Sequence, residues 1–226
     1  MKKWEDLPPD MQVPEVRTYY DILKRHTGSL ILKRIFDIIV AGLLLIVLSP
    51  VLLVLSILIK TDSKGPVFFR QVRVTRYGKT FRIFKFRTMV NNADKIGTQV
   101  TTKGDARVTK IGKKLRGCRL DELPQLLNIL TGDMTFVGTR PEVEKYVSNY
   151  TNEMKATLLL PAGVTSLASI EYKDEEKLLE SADDADQVYI ETILPEKMKY
   201  NLESIKKFSF IQDIKTMAAT VIAVIK

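Results

Sequence analysis

The stretch RGCRLDELPQLLNILTGDMTFVGTRP, residues 116–141, places two adjacent carboxylates, Asp121 and Glu122, between a basic run and an apolar segment. Proline is tolerated in the first turn of a helix and not in its interior, so Pro124 predicts a helix that begins near Asp121. One face of that helix should point inward and carry Leu123, Leu126, Leu127 and Leu130. Because a helix N-terminus favours carboxylates and phosphates alike, the acids are either an ordinary cap or part of a phosphate site.

The neighbours of the acidic pair favour a site. Arg116 and Arg119 precede the pair, and the turns Gly132-Asp133 and Gly138–Pro141 follow the helix. Guanidinium groups suit bidentate contacts to phosphate, while carboxylates can hold Mg²⁺ or attack as nucleophiles. The sequence therefore indicates phosphate chemistry around residues 116–141.

The composition and charge of the chain exclude several kinds of protein. The chain has 226 residues, a net charge of +8 and 45% hydrophobic residues, enough for one compact domain and a membrane segment. One cysteine and one histidine exclude a disulfide framework and a His/Cys metal site. Between Lys60 and Arg119 there are 17 Lys or Arg and 3 Asp, whereas Glu171–Glu191 holds 9 acids and 2 Lys. Since the basic part directly follows an apolar stretch, we expect membrane lipid and phosphorylated substrates as partners, and no nucleic acid.

That apolar stretch, Ile35–Ile59, is long enough to cross a bilayer as a straight helix, so a plain spanning anchor is one interpretation. Pro50 should kink the helix, and the Ser49 hydroxyl can satisfy part of the freed backbone. Basic residues flank both ends: Lys33, Arg34, Lys60 and Lys64. Because the positive-inside rule retains both flanks in the cytoplasm, we favour a re-entrant helix hairpin broken at Ser49 and Pro50.

The remaining patterns predict an α/β protein, mostly α with a small β-hairpin. Apolar and basic residues alternate in Val67–Arg76 and Thr80–Met89, which predicts the hairpin. Residues 105–116 have the pattern of an amphipathic helix, and Pro141 begins another. The apolar segment Met217–Ile225 is too short to span, so it packs in the core or lies in the membrane interface.

Several of these segments together resemble the bacterial sugar transferases that are monotopic polyprenyl-phosphate phosphoglycosyl transferases. Members of that family carry similar Asp-Glu-Leu-Pro, Gly-Asp-Met and Gly-Pro-Arg-Pro runs. The resemblance includes the Ser49-Pro50 segment, FFRQVRV, FRIFKFRTM and the charged C-terminal third, and it covers about residues 30–226. It implies a re-entrant membrane helix (31–60) and a single compact catalytic domain with amphipathic interfacial helices (61–226). The polar residues and prolines before it predict that residues 1–30 are an extension of low order or a short surface helix. The resemblance does not extend to them. It places the domain on the cytoplasmic face of the inner membrane.

The resemblance also implies the chemistry. A sugar 1-phosphate would pass from a nucleoside diphosphate sugar, with uridine as the expected nucleoside, to polyprenyl (undecaprenyl) phosphate, the first membrane step of glycoconjugate assembly. Asp121 would be the nucleophile that forms a phosphosugar–enzyme intermediate, Glu122 its partner, and both would hold Mg²⁺. Four basic residues match positions that hold phosphate or nucleotide: Arg116, Arg140, Lys85 and Arg87. For Lys85 and Arg87, ion pairing that holds the fold is an equal alternative.

Three departures from the family pattern leave the sugar unnamed: Thr139 in place of proline, Leu160 in place of a basic residue, and the run at 162–167. Two other classes of protein remain open. A membrane-tethered basic interaction module without catalysis would explain the charge and the anchor, but it leaves Asp121, Glu122 and Arg140 as coincidences. A spanning enzyme with an external domain would place a basic domain on the disfavoured side. A homodimer is compatible with the sequence.

Overall fold

The N-terminal segment packs into the core of the protein. The computed structural model describes residues 1–93, 105–172 and 184–225. Two 3₁₀ turns, Trp4–Asp6 and Pro9–Met11, lead into helix α1, Pro14–Arg25. The segment contributes six nearly fully buried side chains: Leu7, Met11, Val16, Tyr19, Tyr20 and Leu23. The predicted low order of residues 1–30 is therefore wrong, because apolar side chains on one face of α1 find partners in distant parts of the chain.

Helix α2, Thr27–Asp62, begins eight residues before the predicted apolar stretch and continues through Pro50 as one helix, so the predicted break into a hairpin at Ser49 and Pro50 is not seen. The Ser49 hydroxyl donates to the Ile46 carbonyl at 2.8 Å, which is the carbonyl that Pro50 cannot pair, as expected from the sequence. The most apolar part of α2 has a mean hydropathy of 3.1, so its length and composition would allow it to cross a membrane. One stripe of α2 is buried against the rest of the protein: Lys33, Asp37, Ala41, Leu55 and Ile59.

The predicted hairpin is confirmed. Strands β1, Phe68–Val74, and β2, Thr80–Phe86, pair antiparallel across the turn Arg76–Gly78. Phe81 and Ile83 pack with α2 and the helix after Asp121, where they form part of one hydrophobic cluster. The hairpin therefore connects the membrane helix to the acidic segment.

The other described parts of the chain form shorter elements around these. They are α3 (Lys110–Gly117), α4 (Gln125–Thr131), β3 (Met134–Val137), α5 (Glu144–Val147), β4 (Ala162–Thr165), α6 (Leu167–Glu171), α7 (Ala185–Val188), α8 (Leu194–Lys206) and α9 (Phe210–Ile225). A π-helical turn, Tyr189–Ile193, joins α7 to α8. Within the described residues the protein is mostly helical and contains the β-hairpin, as expected; the second small sheet, the parallel pair β3 and β4, was not predicted.

Three predicted helix boundaries are wrong, one of them that of α5, which begins at Glu144 and not at Pro141. Asp121 lies in a 3₁₀ turn, Leu120–Glu122, and α4 begins only at Gln125. Arg119 adopts φ 55°, so the chain reverses just before the acids instead of entering an α-helix there. The predicted inward face is shifted as well, because Ile129 is fully buried with Leu126, whereas Leu123, Leu127 and Leu130 are half-buried. Likewise α3 begins at Lys110 and not at residue 105, because the Thr109 hydroxyl caps it by accepting from the Gly112 N–H at 3.0 Å.

The C-terminal helix α9 combines the two environments that its sequence left open. Its first half is attached to α2: Lys33 Nζ lies 2.6 Å from Asp213 Oδ2, and the rings of Phe36 and Phe210 are 5.4 Å apart. Its outer face exposes four large apolar side chains, namely Ile211, Ile214, Val221 and Ile222. α9 is therefore anchored to the core while it presents an apolar surface next to that of α2.

Candidate functional site

Asp121 lies in the wall of a cleft of about 2030 Å³. Its side chain is held there by the 3₁₀ turn between α3 and α4, and the residue is 9% exposed. None of the described residues donates a hydrogen bond to its carboxylate. Burial raises the pKa of Asp121, while the positive charge of Lys85 opposes that rise. Asp121 is thus a carboxylate without a protein donor among these residues, next to a large open volume.

Glu122 has the opposite environment. Arg140 binds it with both guanidinium nitrogens, Nη2 at 2.6 Å from Oε1 and Nη1 at 3.4 Å from Oε2. Lys85 Nζ donates to the same Oε1 at 3.0 Å. Burial by itself raises the pKa of Glu122, but Arg140 and Lys85 outweigh it and hold that pKa well below the ordinary value. Glu122 therefore stays ionised and fixes two cations beside Asp121.

Arg140 is brought to Glu122 by the parallel pair β3 and β4. Just after β3 the Gly138 N–H donates to Thr165 O at 2.9 Å, and the Gly163 N–H donates to Thr139 O at 2.8 Å. A Cβ on Gly163 would lie 2.1 Å from Gly138 O, so this close approach of two backbones requires glycine. Two of the departures from the family pattern, at Thr139 and in 162–167, therefore lie at this contact.

A buried network next to Arg140 was missed by sequence reasoning. The Tyr189 hydroxyl donates to Glu142 Oε1 at 2.6 Å, and Lys197 Nζ donates to Tyr189 Oη at 3.1 Å. Arg73 Nη1 donates to Pro141 O at 3.1 Å, directly before Glu142. These contacts fix the chain that carries Arg140. The one signal of this network in the sequence was Glu142, an acid directly after the Arg-Pro pair. Its partners, residues 73, 189 and 197, lie far from it in the chain and could not be inferred.

Of the other predicted basic residues, Arg116 and Lys85 contribute positive charge to the site, whereas Arg87 contacts the end of α2. Arg116, in the last turn of α3, lines the cleft, and its charge, like that of Lys85, opposes the rise that burial causes in the pKa of Asp121. Arg87 is buried and donates to the carbonyls of Ser63 at 2.7 Å and Lys64 at 2.8 Å, at the end of α2. These contacts support the alternative in which Arg87 holds the fold. Its role in binding phosphate stays a prediction. Lys85 is ion-paired too, but its partner is Glu122 inside the site.

The charge of the cleft suits anionic ligands. Among its described lining residues there are twelve Lys or Arg and five Asp or Glu. Within the described ranges no group of three His, Cys, Asp or Glu side chains forms a ready metal cage. Mg²⁺ commonly takes one or two carboxylates and completes its shell with substrate phosphates and water. Asp121 fits that requirement, because its oxygens face the cleft without a donor from the described residues, while those of Glu122 are engaged by Arg140 and Lys85.

Comparison with known proteins identifies the family of the chain. The sequence model of the family described as bacterial sugar transferase matches residues 28–226, which include the acidic pair, its cationic partners and nearly all of the apolar helix α2. The chain belongs to the bacterial sugar transferase family. The family match begins after α1, so the buried N-terminal segment is an addition to the shared part.

Three relatives illustrate the range of this family. The chain is 39% identical over 199 residues to the UDP-glucose:undecaprenyl-phosphate glucose-1-phosphate transferase of Klebsiella pneumoniae, covering 85% of the chain and 40% of the relative. It is 35% identical over 193 residues to the UDP-N-acetylgalactosamine-undecaprenyl-phosphate N-acetylgalactosaminephosphotransferase of Aeromonas hydrophila, covering 84% and 43%. The exopolysaccharide production protein ExoY of Sinorhizobium fredii is 38% identical over 173 residues, covering 68% and 76%. The match thus spans less than half the length of the first two relatives.

Proposed function

We propose that this bacterial sugar transferase transfers a sugar 1-phosphate from a UDP-sugar to undecaprenyl phosphate, and so begins the assembly of a glycan on the membrane. The observation that carries the proposal is the contrast between the two acids: Asp121 faces the cationic cleft without a described donor, and Glu122 holds Arg140 and Lys85 beside it. The names of the relatives supply the donor and acceptor classes.

The reaction proceeds in two displacements. The Asp121 carboxylate attacks the phosphorus that bears the sugar, the bond from that phosphorus to UMP breaks, and UMP leaves with its electron pair. The lipid phosphate then attacks the same phosphorus, the acyl-phosphate bond breaks, and the Asp121 carboxylate is restored. Splitting one difficult displacement into two is the usual advantage of a covalent nucleophile.

The cationic residues reduce the repulsion between the attacking carboxylate and the diphosphate. Arg140 and Lys85 are oriented by Glu122, and Arg116 adds a third positive charge on the wall of the cleft. Preoriented charges in a water-poor site stabilise charge that develops during reaction. Mg²⁺, when bound, would neutralise phosphate charge, and Asp121, with Glu122 as the second predicted ligand, would hold it.

The contacts of α2 support a re-entrant placement on the cytoplasmic face. Near its start, Arg34 Nη1 donates to Ile129 O at 2.6 Å; at its end, the Ile111 N–H donates to Asp62 Oδ2 at 3.0 Å. Both ends of α2 therefore contact the same polar domain. A helix that crossed the bilayer would either separate these contacts or carry the domain into hydrocarbon, where its charges are costly.

We expect cysteines at Thr27 and Lys64, both exposed at the flanks of α2, to be equally protected from an impermeant thiol reagent in intact bacteria. The background is Cys118→Ser, because Cys118 is exposed and would react itself. Permeabilised cells should label both positions, which confirms that the thiols are reactive. Labelling of one flank and protection of the other in intact cells would contradict the re-entrant placement.

The function is tested by incubating the purified protein with Mg²⁺, undecaprenyl phosphate and a panel of UDP-sugars, and by measuring UMP release. We expect release with at least one sugar and a matching sugar diphospholipid. An interaction module without catalysis would release no UMP with any of them. Loss of release on chelation, with recovery on addition of Mg²⁺, is the expected result for the metal.

A further inference from the structure

We propose that the apolar end of the cleft is a groove for the polyprenyl chain of the acceptor, an inference that rests on the proposed function. Three parts of the fold form this prenyl groove: α2, the β3–β4 pair and α9. Its lining residues are Leu44, Leu48, Phe136, Val164, Thr220 and Ala223. Four of them belong to one hydrophobic cluster with the buried side chains of α4 and the hairpin, so the groove has a firm apolar wall.

The size of the cleft and its mixed lining leave room for a second ligand class. Pockets for small molecules have volumes of about 300–1,000 Å³, and this cleft has about 2030 Å³. A nucleotide sugar is polar throughout, so it accounts for the cationic end around Arg140 and not for an apolar wall. A lipid phosphate has both a charged head and an apolar chain, which matches a cleft whose cationic and apolar walls are continuous.

The groove opens onto the apolar outer surface of the protein. On α2 the lining residues Leu44 and Leu48 each follow an exposed neighbour, Leu43 at 59% and Val47 at 62%. On α9 the lining residue Ala223 follows Ile222, which is 55% exposed. A chain that lies in the bilayer beside these helices can therefore enter between α2 and α9 without crossing a polar surface.

The polar atoms in this wall are already paired. The hydroxyls of Thr165 and Thr220 are 2.8 Å apart, and the Thr220 hydroxyl also donates to Thr216 O at 2.8 Å. Hydroxyls that are satisfied within the protein need no water, so an apolar chain can cover them without leaving an unpaired polar group. The wall between β4 and α9 is thus apolar in effect although threonines contribute to it.

The test is a bulky substitution at a lining position and the same substitution at its exposed neighbour. We expect Ala223→Trp to raise the KM for undecaprenyl phosphate about tenfold or more, while Ile222→Trp leaves it within about twofold. UMP release with the acceptor withheld should be the same for Ala223→Trp as for the wild type, which localises the defect to the acceptor step. A short-chain prenyl phosphate, which fills less of the groove, should lose less affinity.

An equal KM for undecaprenyl phosphate in the two tryptophan variants would overturn the groove. So would a photoreactive group at the far end of the prenyl chain that labels the wild-type protein outside α2, α9 and the β3–β4 pair. This labelling uses unsubstituted protein, so misfolding of a variant cannot hide the answer. A wild-type protein that releases no UMP with any donor contradicts the proposed function itself, and that result is separate from failure of the groove.

Discussion

Asp121→Asn should lower turnover by about a thousandfold or more, as expected when the nucleophile of a covalent mechanism is lost. Asparagine has nearly the same size, and no described residue donates a hydrogen bond to the carboxylate that it replaces, so the fold should survive. Its amide oxygen, however, is too weak a nucleophile to attack phosphorus. The measurement is UMP release under saturating donor and acceptor, with circular dichroism and thermal unfolding to confirm the fold.

Asp133→Asn is the matched control, since it makes the same substitution just beyond α4, at a carboxylate that is not among the described lining residues of the cleft. It should keep essentially full turnover. Retention of more than about a tenth of activity by Asp121→Asn corresponds to a barrier change below about 1.4 kcal/mol. Asp121 would then be a structural acid, and the covalent mechanism would have to be abandoned.

The wild-type protein should become labelled when it is mixed with a donor that carries labelled phosphate and sugar while no lipid acceptor is present. About one phosphosugar per chain and a matching burst of UMP are expected, because the first displacement needs only the donor. Mass spectrometry of the digested protein should place the adduct on Asp121, and Asp121→Asn should remain unlabelled. Addition of undecaprenyl phosphate should then transfer the label to lipid.

Direct attack by the lipid phosphate predicts a different result, since no bond to the donor breaks before the acceptor arrives. Rapid mixing that carries label to the lipid, with none on the protein even when acceptor is withheld, would exclude the covalent route. Asp121 and Glu122 would then act as metal ligands alone. Ping-pong kinetics would agree with the covalent route, but the trapped adduct is the more direct observation.

The sequence pointed to the acidic pair as the centre of the candidate site because the chemistry-bearing residues are concentrated in one segment. Asp121, Glu122 and Arg140 lie within twenty residues, and the acids interrupt an otherwise basic and apolar run. The contact between Glu122 and Lys85 was not predictable in this way, because it joins the hairpin to the turn before α4 across 37 positions. The role of Arg87 was left open between binding phosphate and holding the fold. Its partners are backbone carbonyls, and backbone carbonyls give no signal in the pattern of side chains.

The fold was predictable where local signals dominate. The hairpin was located within three residues at each strand end, because its alternation and its turn are both local. The boundary of α4 was misplaced, since the left-handed backbone of Arg119 and the 3₁₀ turn after it depend on packing around the acids. The parallel pair β3–β4 joins strands of four residues each, which are too short for a periodic signal.

By itself, therefore, the sequence determined the long apolar helix, the hairpin and the family to which the acidic segment belongs, because hydropathy, alternation and short motifs are properties of neighbouring residues. The tertiary structure decided which acid is engaged and which faces the cleft, because burial and ion pairing depend on residues far apart in the chain. It also decided that the N-terminal segment belongs to the core and that an apolar groove lies between α2 and α9. A helix face can be assigned to the core or to the wall of a cleft only when the segment that packs against it is known.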